Sequence, residues 1–105
     1  MSRLAKLQQM LAEDPHDPFL HYAVAMEHVK SGEQNAALEK LAAINQQFPD
    51  YVAAWQQRGQ LLADRGEAES AREILQQGIA VAQRTGDSHA AGEMQGLIDL
   101  LPAGW

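Results

Sequence analysis

The chain of 105 residues contains no cysteine. That excludes a disulfide framework, a thiolate nucleophile and any cysteine-ligated metal. Aromatic residues make up only 6% of it, and valine and threonine are also scarce, so strand formation is disfavoured. Positive charge is short as well: eight Lys and Arg stand against 14 Asp and Glu, leaving a net charge of −6. The basic residues are scattered from Arg3 to Arg84 instead of clustering, which argues against nucleic acid as a partner. No uncharged apolar run approaches the roughly 20 residues that a membrane span needs. The first dozen residues carry Arg3, Lys6, Gln8 and Gln9, so no signal-peptide core is present there. A cytoplasmic location follows as the expectation. There is no glycine-rich phosphate loop and no nucleophile elbow. The sequence thus implies a protein that is not an enzyme and uses no cofactor.

Leucine, alanine, glutamine and glutamate dominate instead, and these residues favour helix. They are arranged with a period. Gly32 and Gly66, Ala37 and Ala71, and Ala25 and Gly59 are each 34 residues apart (66 − 32, 71 − 37, 59 − 25). Glu33/Glu67, Glu39/Glu73 and Leu41/Leu75 keep the same offset. Self-similarity at a fixed period of this size marks stacked helical hairpins, each too small to bury both its faces alone.

Six helices are predicted. The first covers residues 2–13, with Leu4, Leu7 and Leu11 on one stripe and Met10 beside it. Pro15 ends it, and Asp17-Pro18 starts the second, with Asp as N-cap and Pro at the first helical position. That helix runs to about Ser31 and is closed by Gly32. The third spans about 34–47, and the break Phe48-Pro49-Asp50 follows, with Asp50 as a capping candidate. The fourth occupies about 52–65 and is closed by Gly66; the fifth spans about 68–84 and ends at Thr85-Gly86-Asp87. The sixth runs from about Ser88 to Leu101 and is stopped by Pro102. Gly59 and Gly78 lie inside helices, where glycine costs about 1 kcal/mol relative to alanine, and so mark points of close packing. Gly92 and Gly96 have the spacing of a membrane dimer motif, but in a helix as polar as this one they are expected to pack on the fifth helix.

This pattern resembles the tetratricopeptide repeat family of 34-residue helix–turn–helix units. In the second unit Trp55, Gly59, Leu62, Gly66, Ala71 and Leu75 stand at the family's signature positions; in the first, Ala25, Gly32, Ala37, Leu41 and Pro49 do. The chain departs from the signature at His21, which stands where Trp55 stands one unit later, and at His28, Arg58, Ile44 and Gln83. The resemblance implies an all-α, right-handed α-solenoid of antiparallel hairpins, about six helices in one domain spanning 1–105. Its divisions are a half repeat over 2–17, repeats over 18–51 and 52–85, and a C-terminal capping helix over 86–101.

The resemblance also implies a function: a non-catalytic scaffold whose concave groove, lined by the first helix of each unit, binds a peptide or helix of a protein partner. Carried onto this chain, the groove residues are Phe19, Tyr22, Met26, Gln56, Gln57, Gln60, Asp64 and Met94, with Val29, Ala53, Ala90 and Leu97 beside them. Tyrosine and methionine suit the packing of a partner side chain, and glutamines can bond a peptide backbone. Chaperone-binding members clamp a C-terminal carboxylate with lysine, arginine and asparagine; Tyr22, Met26, Gln57 and Gln60 occupy those places here, so that clamp is absent. A neutral, apolar or basic ligand fits better. The alternative is a homo-oligomer, a homodimer for instance, assembled through terminal residues such as Leu4, Leu7 and Met10 or Ile98, Leu101 and Trp105. A metal site is not expected: His21 and His28 are two helical turns apart, beyond shared ligation. His21 and His89 share one repeat position with Trp55 and are read as packing substitutes for it.

Overall fold

A computed structural model describes residues 2–103. Among them are six helices and no strand: α1 (Arg3–Glu13), α2 (Pro18–Lys30), α3 (Gln34–Gln47), α4 (Val52–Asp64), α5 (Ala68–Thr85) and α6 (Ser88–Asp99). Trp105, named above as a self-association residue, lies outside the described residues.

The helix ends follow from local chemistry. The Ser2 hydroxyl accepts from the Ala5 amide at 3.1 Å, Asp17 Oδ1 from Phe19 at 2.9 Å, and Asp87 Oδ1 from Ala90 at 3.1 Å. Each satisfies one of the amides that a helix start leaves free. Asp50 does not cap α4. Tyr51 holds the N-cap place, and the Asp50 carboxylate accepts from Arg84 at 2.6 Å. That hydrogen bond, with the charge of the guanidinium behind it, holds the Asp50 carboxyl below the usual carboxylate range. The hairpin turns repeat closely. Gly32 and Gly66 take φ of 77° and 80°, and the residue after each returns a 2.9 Å bond to a carbonyl five residues back, Glu33 to His28 and Glu67 to Leu62. Only glycine enters this left-handed region without strain, which is why the two glycines keep the repeat offset.

The chain divides into two compact units at the Phe48-Pro49 break, one before it and one after. In the first, α2 packs against both α1 and α3. Leu7, Leu20, Ala23 and Val24 form a buried cluster with Leu4 and Leu11 against it, while Ala37, Leu41 and Ile44 bury the inner stripe of α3. An ion pair of 3.6 Å between Arg3 and Glu27 ties α1 to α2. In the second unit, α5 packs against both α4 and α6. Leu75, Ala82, Ala90 and Met94 form its buried cluster, with Val52, Ile79, Leu97, Ile98 and Leu101 around them. Burying side chains such as Leu41 and Leu75, both at 0% exposure, stabilises by about 2–3 kcal/mol each.

The helix glycines separate into two kinds. At Gly59 a Cβ would stand 2.4 Å from Leu75 Cδ2, and at Gly78 it would stand 2.6 Å from Met94 Sδ and 2.8 Å from Trp55 Cβ. These two are points of close approach, as their positions in the sequence suggested. Gly92 and Gly96 are not. Both are exposed, with nothing within 4 Å of an added Cβ. The helix turns Ala90 and Met94 into the core and leaves its glycines outside. Gly92→Ala and Gly96→Ala should therefore each stabilise the fold, by about 0.5–1 kcal/mol. An upward shift of the denaturant midpoint for both variants checks this; a downward shift would show that the face is occupied.

Candidate functional site

The first helix of each unit carries the expected binding residues, and the structure sorts them. On α2, Phe19 is 58% exposed, an unusual state for a phenylalanine, and Tyr22 and Met26 are half-buried. Their spacing of three and then four residues sets all three on one side of α2. On α4, Gln56, Gln57 and Gln60 are half-buried and Asp64 is exposed, and the Gln60 amide donates to Asp64 Oδ1 at 2.8 Å. Arg58, on the same helix where the family has leucine, is half-buried, and burial pushes its pKa down.

Met94 is a correction. It is fully buried, its sulfur seated where Gly78 has no side chain. The cause is a slip in phase. Helix α2 begins at Pro18 and α4 at Val52, 34 residues later. Gln83 replaces the closing proline, so α5 continues to Thr85 and α6 begins at Ser88, not at residue 86 (52 + 34). Two residues rotate a helix by about 200°, which carries the assigned position to the opposite side. Counted from the helix starts, Ala90 matches Leu20 and Ala54, all three buried, and Met94 matches Val24 and Arg58. The residues of α6 equivalent to Phe19, Tyr22 and Met26 become His89, Gly92 and Gly96, all exposed. His89 is accordingly no substitute for tryptophan. Its side chain is 87% exposed and lies 3.5 Å from Glu93.

His21 does take the place of a tryptophan. Trp55 Nε1 donates to the Pro49 carbonyl at 2.9 Å, six residues back; His21 Nε2 lies 2.7 Å from the Pro15 carbonyl, also six residues back. The His21 ring is 5.5 Å from that of Phe48, tilted by 38°. Its other nitrogen, Nδ1, is 2.8 Å from Lys40 Nζ. Burial pushes the Lys40 pKa down. A cleft of about 510 Å³ opens beside the ring, bordered by Pro15, His16, Gln47 and Phe48. The Lys40 contact went unseen in the sequence, although the offset holds its signal: Lys40 pairs with Ile74 as His21 pairs with Trp55.

Among the described residues, no group of three or more His, Cys, Asp or Glu could hold a metal, and no helix is long and apolar enough to cross a membrane.

Residues 28–92 match the tetratricopeptide repeat family. A TPR repeat-containing protein of Pseudomonas aeruginosa is 31% identical over 88 residues, which are 84% of each chain. Among solved structures, the tetratricopeptide repeat domain protein of Salinibacter ruber superposes with a TM-score of 0.79 at 29% identity, covering 87% of this chain and 96% of its own. A protein from Bordetella parapertussis superposes at 0.80 and 27% identity, over 94% of this chain and 86% of its own.

Proposed function

Because the chain belongs to the tetratricopeptide repeat family, all-α solenoids that serve in general as protein-interaction modules without catalysis, we propose that it binds a peptide or helix of a protein partner in a concave groove. The observation that carries this reading is the face of α2. Phe19 keeps more than half its surface in solvent, with Tyr22 and Met26 beside it. A large aromatic held open on a rigid helix provides contact area at little entropic cost on binding. The glutamines of α4 supply donors and acceptors for a partner backbone, and the exposed face of α6 passes through His89, Gly92 and Gly96 rather than Met94. The chain works in the cytoplasm in this reading, and its acidic balance favours a neutral or basic partner segment.

The test is photocrosslinking in cells, with a benzophenone amino acid placed at Tyr22 or at Gln57 and, as control, at exposed Gln46 on α3. A discrete adduct from the first two positions and none from Gln46 is expected. Phe19→Ala should reduce its yield about fivefold, as the loss of about 1 kcal/mol implies, and leave the thermal melt in place. Equal labelling from all three positions would sink the proposal.

A homo-oligomer is the second reading. Leu100 is 83% exposed and Met10 is 49% exposed, one beyond α6 and one on α1. A sedimentation dilution series separates the two: a mass above the monomer at low micromolar concentration favours self-assembly.

A further inference from the structure

The two partners of His21 dictate its protonation state. A carbonyl oxygen has no proton to give, so Nε2, 2.7 Å from the Pro15 carbonyl, must carry hydrogen. An ammonium has no lone pair, so Nδ1, 2.8 Å from Lys40 Nζ, must be bare and accept. Only the neutral Nε2–H imidazole satisfies both. If a proton is added to Nδ1, an N–H faces an ammonium, two like charges at hydrogen-bond distance, and the contact cannot persist.

We propose that His21 and Lys40 form a pH-operated latch that fastens the start of α2 to α3 when the imidazole is neutral and releases it when the imidazole is protonated. The second repeat shows what the same place looks like without the device. There the indole of Trp55 makes the equivalent carbonyl bond but has no second nitrogen, and Ile74 stands where Lys40 stands. The pair His/Lys thus replaces the pair Trp/Ile, and only the first repeat gains a titratable contact. Lys40 is suited to the role, because burial already weakens the hydration of its ammonium.

The surroundings of the ring do not offset the conflict. From α3 the charged group bonded to it is Lys40, with uncharged Gln47 and Phe48 nearby; from the α1–α2 turn come the Pro15 carbonyl, the imidazole of His16 bordering the cleft, and Asp17, one turn before the ring, whose carboxylate is engaged by the Phe19 amide at 2.9 Å. No carboxylate is bonded to the ring among the described residues. The sign is then fixed. The latch is closed while the imidazole is neutral and opens when it takes up a proton. The other imidazole contacts respond oppositely. His28 lies 3.3 Å from Glu33 and His89 lies 3.5 Å from Glu93, and protonation turns both into ion pairs. A global melt would mix the two signs, so the experiment must be local.

Two measurements on the full chain decide it. Imidazole nitrogen NMR at about pH 7.5 should show His21 as the Nε2–H tautomer, whereas a predominant Nδ1–H form would overturn the proposal. Amide hydrogen exchange of residues 19–24, corrected for intrinsic rates, should lose about tenfold protection between roughly pH 7.5 and pH 5.5, the effect of one strong hydrogen bond. In Lys40→Met the loss should shrink to about twofold or less, since the protonated ring no longer meets a cation. An apolar residue is tolerated at this place, as Ile74 shows in the second repeat. Equal acid sensitivity in wild type and Lys40→Met would overturn the latch, and the tautomer measurement needs no variant at all.

Discussion

Gly59→Leu should lower the stability of the fold by about 3 kcal/mol, or roughly 12 °C in melting temperature. Even a β-carbon at this place would come 2.4 Å from Leu75 Cδ2 and 2.5 Å from Leu75 Cγ. Leu75 has no room to withdraw, being at 0% exposure inside the cluster with Ala82, Ala90 and Met94. A leucine adds three further carbons to that collision. The helix itself prefers leucine over glycine by up to about 1 kcal/mol, which offsets only part of the overpacking. Gly59→Ala should fall between wild type and Gly59→Leu. Combined with Leu75→Ala it should cost less than the two single changes added together, because the truncated side chain vacates the space the new methyl needs. Thermal melts of the four variants read this directly. An unchanged melt for Gly59→Leu would mean that α4 and α5 do not approach as closely as 2.4 Å requires.

Trp55→Ala is the second large effect, expected at about 3–5 kcal/mol by urea denaturation. The indole is 8% exposed, its Cβ lies against the bare backbone of Gly78, and its N–H is the donor to the Pro49 carbonyl. Truncation leaves a cavity on the α5 side and a carbonyl without its partner. Trp55→Phe separates the two contributions, because most of the volume remains and the N–H is lost; its cost should be about 1 kcal/mol plus a small packing loss. If Trp55→Ala and Trp55→Phe fell together near wild type, the indole would not be anchoring the hairpin.

The helices were legible because their ends are written in residues with one conformational use. Asp17-Pro18, Gly32, Gly66 and Gly86 fix starts and stops through capping geometry that depends on neighbours within a few positions. The inner stripes of α3 and α5 were legible for the same local reason: alanine and leucine recur there at helical spacing. The sixth helix was harder. A fixed offset assumes that every hairpin has the same length, and α5 has 18 residues where α3 has 14. Loss of the closing proline was visible at Gln83, but the rotation it causes in α6 depends on where the next helix nucleates. For that reason Met94 and His89 were assigned to the wrong sides of that helix, whereas Gly92 and Gly96 were placed by their small size and four-residue spacing, which do not say which face is buried. Asp50 was misread as a cap because its partner, Arg84, is 34 residues away, at the end of the extra turn. The Lys40 contact joins residues 19 apart; the offset pairs its two members with Ile74 and Trp55 and so marks the place, but isoleucine has no polar group from which the bond itself could be read.

The equivalence of His21 with Trp55 bears on how the two repeats could have drifted apart. The ring of His21 meets Phe48, whereas Trp55 lies with its Cβ against the bare backbone of Gly78, which stands 34 residues after Ile44. A small ring with a large neighbour in one copy stands against a large ring with a small neighbour in the other. Neither copy converts into the other by one mutation without passing through a crowded or hollow intermediate. Lineages carrying this protein would then exchange these positions in pairs, and an ancestral state at one of them would be tolerated only alongside its companion.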